Sequence, residues 1–168
     1  MYQELILDHA RHPHGKGLAP TFDGESFQVN PTCGDRIRVR VSLGDPAVGR
    51  AAGGDLAVGW PVVADLTWDG QGCSISQASA SMMGDLVRGK DLSEAAALGE
   101  AFGELMRSRG RGIDPDLADR LGDAVALEGV SRYPMRIKCA LLGWMALKDA
   151  VARAATGDAS PARIPEGI

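Results

Sequence analysis

The sequence is poor in cysteine, with only Cys33, Cys73 and Cys139 among 168 residues. An odd number of widely separated cysteines, with no secretory leader, argues against a disulfide framework. The first eight residues carry acids among the apolar ones and lack the basic start of a signal peptide. We therefore expect a reducing, cytoplasmic compartment, in which the thiols stay free for metal or sulfur chemistry.

Positive charge and long apolar runs are also scarce. The 22 acidic residues outnumber the 18 basic ones and give a net charge of −4, which argues against nucleic acid as a partner. The longest apolar run, Cys139–Leu147, is too short to cross a bilayer, so no membrane is expected either. The length fits one domain, which we place at residues 1–155, followed by a C-terminal tail at 156–168.

Alternation of apolar and charged residues predicts three strands. The clearest is Arg36–Leu43, whose arginines alternate with aliphatic residues. Ser26–Val29 and Pro61–Trp68 are the other candidates, and between the last two strands Gly44–Gly59 is predicted to be a long, mobile hairpin loop. In the third strand, the expected core contacts are Val63, Ala64, Leu66 and Trp68. The interpretation is an α+β fold, with a three-stranded antiparallel sheet covered on one face by helices.

Helical periodicity accounts for most of the remaining chain. Ser93 is the predicted N-cap of the third helix. Pro134 suits the first position of the last helix, which we expect to be deeply buried at Ala140–Leu147 and to be followed by a frayed tail. The predicted helical segments are Tyr2–Ala10, Ser74–Arg88, a helix beginning at Leu92, short turns within Asp116–Leu127, and Pro134 to about Ala155.

The first cysteine lies in a turn sequence, Asn-Pro-Thr-Cys-Gly-Asp, directly before the alternating strand. Gly34 allows the backbone to fold so that the side chains of Cys33 and Asp35 converge, as two ligands of one ion must. The alternative is a tight turn in which Asp35 caps a backbone N–H and Cys33 is a small buried apolar residue.

The other two cysteines lie at predicted helix starts. Cys73 would feel the positive end of a helix dipole, which favours the thiolate. Cys139 is flanked by the cations Arg136 and Lys138, which lower a thiol pKa. Packing alone could also explain either residue. Strand ends and helix starts can share one rim of a covered sheet, and three thiolates with the carboxylate of Asp35 would suit tetrahedral zinc or an iron–sulfur unit.

Five segments resemble those of a known family: Leu5–His9, Pro13–His14, Asn30–Asp35, Gly72–Met83 and Pro134–Trp144. The likeness is to SufU, the branch of the IscU/NifU-N family that works in SUF-type iron–sulfur cluster assembly. The resemblance implies a zinc site formed by Cys33, Asp35, Cys73 and Cys139. It also implies a pyridoxal-phosphate cysteine desulfurase, SufS, as partner, with Cys33 accepting persulfide sulfur after a ligand exchange at zinc.

Several positions separate the chain from IscU scaffolds or from the common family pattern. Lys138 stands where those scaffolds have histidine before the last cysteine, and an extra segment lies near Arg107–Gly122. The chaperone-binding Leu-Pro-Pro-Val-Lys motif is absent, so no handoff to an IscU-type chaperone is expected. Gly15 and Gly84 also differ from the usual residues, which affects expected partner contacts more than metal binding.

The remaining polar residues of these motifs have less specific interpretations. Arg136 is a candidate to stabilise a released thiolate or to bind the partner, against the alternative of a solvated arginine. Lys138 is expected to be a surface charge. His9, His12 and His14 are interpreted as packing or partner-docking residues rather than ligands.

Two other functions compete with sulfur transfer from the desulfurase. The same four ligands would serve a scaffold on which a transient [2Fe–2S] cluster is assembled and passed on. A structural zinc domain that only mediates interactions is the third possibility. For the sulfurtransferase, the SUF scaffold complex is a candidate downstream partner.

Overall fold

A computed structural model of the protein describes residues 2–46, 48–50 and 56–164. Its centre is a three-stranded antiparallel sheet with the strands in the order Gly24–Asn30 (β1), Asp35–Gly44 (β2) and Val62–Gln71 (β5), and helices cover one face, as predicted. The elements are α1 (Tyr2–Arg11), β1 (Gly24–Asn30), β2 (Asp35–Gly44), β3 (Val48–Arg50), β4 (Leu56–Val58), β5 (Val62–Gln71), α2 (Ser74–Val87), α3 (Leu92–Arg107), α4 (Pro115–Arg120), a 3₁₀ segment (Gly122–Arg132) and α5 (Pro134–Ala155).

Strand β2 has the predicted alternation of its side chains. Ile37, Val39 and Val41 are buried in the core under the helices. Arg38 and Arg40 lie on the opposite face, where both bind the fully buried carboxylate of Glu25 on β1, at 2.6 and 2.5 Å. The core side of the sheet is therefore apolar, whereas its outer side is organised by an ion-pair cluster.

A β-bulge changes which residues of β5 face the core. Ser42 pairs with Asp65 but Leu43 pairs with Val63, so Ala64 is an extra residue in the ladder. The expectation that Ala64 contacts the core is wrong, because the bulge turns its side chain outward, where it is exposed. The same shift lets Val63 and Leu66, three positions apart, both point inward.

The segment between β2 and β5 is more regular than predicted. Strands β3 and β4 pair antiparallel, with Val48 opposite Val58 and Arg50 opposite Leu56. The predicted Gly44–Gly59 hairpin loop therefore contains a short two-stranded ladder, which the sequence pattern did not indicate. The remainder of that prediction, at residues 47 and 51–55, lies outside the described residues.

Helix α5 packs across β1 and β2 and next to α2. A Cβ at Gly24 would lie 2.1 Å from the carbonyl oxygen of Ala150, so glycine is needed where β1 meets this helix. Burial around α5 is less complete than predicted, since Met145 is 56% exposed on the side away from the sheet. Helix α3 is capped by Asp91, whose carboxylate accepts from the Glu94 N–H at 2.7 Å, and not by Ser93.

The C-terminal tail is anchored at one point. The backbone N–H of Ala162 donates to Glu25 Oε1 at 2.9 Å, and Ala162 itself is buried. The prediction of a frayed tail is therefore wrong as far as this residue. Within the described residues, no helix is long and apolar enough to cross a membrane.

Candidate metal centre

The turn between β1 and β2 positions Cys33 and Asp35. Asn30 and Asp35 form the last pair of the ladder, and the Gly34 N–H donates to the Asn30 carbonyl at 2.8 Å. Gly34 has a φ of 73°, a left-handed conformation that glycine adopts without strain. As a result, Asp35 is buried at the start of β2, whereas Cys33 is exposed at the tip of the turn.

The junction between β5 and α2 brings Cys73 to the same rim. Arg36 pairs with Gln71, so the next residues outward, Asp35 and Gly72, are neighbours. A Cβ at Gly72 would lie only 2.8 Å from Cγ of Asp35, which shows how closely the backbone approaches the carboxylate. Cys73 follows as the N-cap residue of α2, with Sγ 3.5 Å from Asp35 Oδ2.

The last cysteine reaches the rim from the second turn of α5. Cys139 is buried, and its Sγ lies 3.6 Å from that of Cys33. The buried side chain of Asn30 approaches the same sulfur, with Nδ2 at 3.9 Å. Within α5, the Cys139 thiol also lies 3.8 Å from the Met135 carbonyl, one helical turn earlier.

The predicted ligand residues thus come together at one rim of the sheet. The ligand atoms of Asp35, Cys73 and Cys139 all lie within 4.8 Å of one another. Cys33 is outside this compact group of three but adjoins it through Cys139. Three buried or half-buried donors with one exposed thiol beside them form a site that is closed on the protein side and open on the solvent side.

The electrostatics of the group favour a bound cation. Burial raises the pKa of the Cys139 thiol far above its ordinary value, and hydrogen bonds with Asp35, Cys33 and Cys73 raise it further. Ionisation of this thiol is disfavoured because several groups that become negative on ionisation share one poorly solvated space. A divalent cation would neutralise them and hold the sulfurs as thiolates, and thiolate with carboxylate is a donor set that zinc accepts.

The cationic neighbours predicted near Cys139 are at the surface. Arg136 and Lys138 are both exposed in the first turns of α5. Beside them, Tyr133 and Met135 expose more than half of their surface. The rim is therefore bordered by a mixed apolar and basic area, and the role of Arg136 in it stays a prediction.

Two residues that position the site were missed as functional candidates. Asn30 holds the turn through its backbone carbonyl and approaches Cys139 through its side chain. Gly72 leaves the space that the Asp35 carboxylate occupies. The sequence contains a feature that points to each residue, since Asn30 begins the turn motif and Gly72 directly precedes a cysteine.

The three histidines are in the N-terminal segment, as expected. His9 is buried, with Nδ1 2.7 Å from the Ser81 hydroxyl and Nε2 3.2 Å from Asp123 Oδ2. His12 and His14 are exposed, and His14 Nδ1 lies 2.5 Å from Asp85 Oδ2.

The fold and the rim together define a class of protein: a small α+β domain that collects sulfur and carboxylate donors from a strand turn and two helix starts. The chain belongs to the family of the NifU-like N-terminal domain, whose profile matches residues 1–140. This confirms the family expected from the sequence motifs.

Similar proteins support the same assignment. The chain is 40% identical to the zinc-dependent sulfurtransferase SufU of Bacillus subtilis, with 94% of each chain covered. It is 38% identical to the iron–sulfur cluster assembly scaffold protein IscU of Streptococcus pyogenes, over 92% of this chain and 85% of that one. A crystal structure of a SUF-system scaffold protein from Fervidobacterium islandicum superimposes with a TM-score of 0.67 at 28% identity, covering 88% and 94% of the two chains.

Proposed function

We propose that this protein is a zinc-dependent sulfurtransferase of iron–sulfur cluster assembly, which accepts persulfide sulfur on Cys33 from a cysteine desulfurase of the SufS type. The observation that carries the proposal is the unequal exposure of the donors. Asp35 and Cys139 are buried, whereas Cys33 is exposed on a turn beside them. A persulfide on another protein can reach Cys33 without any change in the core.

Bound zinc would supply charge neutralisation, keeping the surrounding thiols deprotonated at neutral pH. Cys33, Asp35, Cys73 and Cys139 would hold it. In the transfer itself, the Cys33 thiolate attacks the outer sulfur of the desulfurase persulfide. A new sulfur–sulfur bond forms on Cys33, the old one breaks, and the desulfurase cysteine leaves as a thiolate, so electrons and atoms balance.

The area around the rim supports docking of a partner protein. Tyr133 and Met135 are exposed apolar side chains, and the neighbouring Arg136 adds an exposed positive charge. Exposed aromatic, Met and Arg residues are enriched in protein interfaces. Three free thiols also suit the reducing cytoplasm, and the SUF scaffold complex is the proposed downstream acceptor.

The test uses mass spectrometry for added sulfur after incubation with desulfurase and cysteine, with zinc quantified on the same sample. Cys33→Ala should retain part of its zinc and lose sulfur acceptance. Asp35→Ala should weaken zinc binding by at least about tenfold. If Cys33→Ala acquired sulfur at the parent rate, Cys33 would not be the acceptor.

Arg136 is tested in the same assay against its neighbour Lys138. Arg136→Ala should slow sulfur acceptance without loss of zinc, whereas Lys138→Ala should behave like the parent protein. Equal rates for both variants would reduce Arg136 to a solvated surface residue.

A scaffold function is the second candidate, because several relatives are named as IscU scaffolds. The same donors would hold a [2Fe–2S] cluster, with oxygen ligation making it labile. Freshly purified protein distinguishes the two candidates. One tightly bound zinc favours sulfur transfer, and stoichiometric iron with acid-labile sulfide favours the scaffold.

A further inference from the structure

A second group of metal-binding side chains lies between α1 and α2. One ligand atom each of His9, His14 and Asp85 comes within 4.8 Å of the other two. The three residues belong to α1, to the loop after it and to α2, so the tertiary fold brings them together. We propose that they form a second site for a divalent transition-metal ion, with zinc as the reference ion.

The orientation of His9 fits a metal ligand. Its Nδ1 lies 2.7 Å from the Ser81 hydroxyl, and Ser81 is one helical turn before Asp85 on the same face of α2. Its Nε2 lies 3.2 Å from Asp123 Oδ2. A carboxylate can only accept a hydrogen bond, so neutral His9 carries its proton on Nε2 and presents the Nδ1 lone pair towards Ser81.

This arrangement supplies the outer support that metal-bound imidazoles usually have. A ligating histidine commonly donates its second N–H to a carboxylate, which fixes the ring and makes it more basic. Asp123 is placed to do this for His9. An ion on Nδ1 of His9 would use the lone pair that now accepts the Ser81 proton, and it would replace the contact between His14 and Asp85 as well.

His14 is held by its backbone from both sides. Its N–H donates to the Ser81 hydroxyl at 2.8 Å, and its carbonyl accepts from the Trp68 indole N–H at 2.9 Å. Gly15 then turns the chain with a φ of 72°. The His14 imidazole is therefore displayed from a fixed backbone, with its ring centroid 4.8 Å from that of His9.

The charges at this group suit a divalent ion. Asp85 and Asp123 supply two negative charges when both imidazoles are neutral. Arg88 lies 3.7 Å from Asp85 but also binds Asp65 and the Leu66 carbonyl. Two imidazoles and one carboxylate, with the exposed side open to water, match the donor set of zinc sites that keep an open position.

The alternative is a simple ion pair between protonated His14 and Asp85, which are 2.5 Å apart. The two possibilities differ in what they predict for added metal. Zinc-saturated protein, titrated calorimetrically with further Zn²⁺ at a pH where imidazole is neutral, should bind a second equivalent. A protein that binds no second equivalent would overturn the proposal.

Matched variants locate that second equivalent. His14→Gln should lower the affinity for the second Zn²⁺ at least about tenfold. Asp123→Asn, which changes a positioning residue, should lower it about tenfold. His12→Gln is the control, because His12 is in the same segment, is largely exposed and contacts Asp8 rather than the cluster. The first equivalent should be unchanged in all three variants.

A second measurement identifies the ligands directly. Long-range ¹H–¹⁵N spectra of the imidazoles should show the Nδ1 of His9 and one nitrogen of His14 shifting with the second equivalent of Zn²⁺, and no shift for His12. Equal binding by His14→Gln and parent, or a shift confined to His12, would refute the site. Thermal unfolding in the presence of chelator confirms that each variant is folded.

Discussion

Gly72→Ala is a sharp test of the metal centre, because it acts on the proposed ligand Asp35 without altering any donor. A Cβ at position 72 would lie 2.4 Å from Ser76 Oγ and 2.8 Å from Asp35 Cγ, whereas ordinary contacts begin at 3.4 Å. Ser76 can rotate away, since its hydroxyl is held by a hydrogen bond to the Cys73 carbonyl, three residues before it. The buried carboxylate of Asp35 has less freedom and must retreat by about 0.6 Å.

That displacement is large on the scale of metal coordination. Bond lengths in real sites fall within about 0.2 Å of their ideal values. We therefore expect Gly72→Ala to lower zinc affinity by about 10- to 100-fold, as changes next to a ligand usually do. This corresponds to about 1.4–2.7 kcal/mol. Crowding should also destabilise the metal-free protein by about 1–3 kcal/mol.

The assay is competition for zinc against a calibrated chelator, combined with urea unfolding of the metal-free protein. Gly129→Ala is the matched control, because a Cβ built there meets no described residue within 4 Å other than its chain neighbours. It should leave zinc affinity unchanged and alter stability by less than about 0.5 kcal/mol. If Gly72→Ala lost stability as expected but bound zinc like the parent, Asp35 would not be a ligand.

Two further predictions concern the parts of the fold that the site depends on. Glu25→Gln should cost about 3 kcal/mol at neutral pH, because it leaves two arginines of β2 without their buried anion. Burial alone would raise the pKa of Glu25, but hydrogen bonds from Arg40, the Ala162 N–H and Arg38 lower it below the ordinary 4.5. Its stabilisation is therefore complete above that value and lost as the pH falls through the lower, folded-state pKa, so parent and variant should converge on acidification in urea unfolding. Asp91→Ala should cost about 1 kcal/mol through loss of the α3 cap, whereas Ser93→Ala should change thermal stability little, and equal effects would contradict the assigned cap.

The fold prediction rested mainly on the alternation of arginine and aliphatic residues in β2. With arginines on one side and Ile37, Val39 and Val41 on the other, only one register buries the aliphatic face, and the structure has it. The bulge at Ala64 could not be foreseen, because it depends on how β5 pairs with β2 and not on the composition of β5. The same limitation applies to Asp91, since Ser93 is also an acceptable cap by residue type alone.

The candidate site was predictable for a different reason. Cys33 lies in the turn between β1 and β2, Cys73 directly precedes α2, and Cys139 lies in the second turn of α5. Glycine and proline residues mark these turns and helix starts in the sequence. The convergence of these boundaries at one rim required the topology, which the family resemblance supplied. The unequal burial of the donors and the approach of Asn30 to Cys139 depend on tertiary packing, so they appear only in the structure.

The elements that supply the donors explain why anchoring and reactivity can be separated at this rim. Asp35 begins a central strand and Cys139 lies in the longest helix, so both are held by the packing of the core. Cys33 lies on a turn fixed mainly through Asn30, where the Gly34 N–H meets the Asn30 carbonyl. Movement of the turn costs a few local hydrogen bonds, whereas movement of Asp35 or Cys139 would disrupt the core. A thiol that must meet a partner protein and then return is therefore best placed at position 33, and the donors that must stay are best placed in β2 and α5.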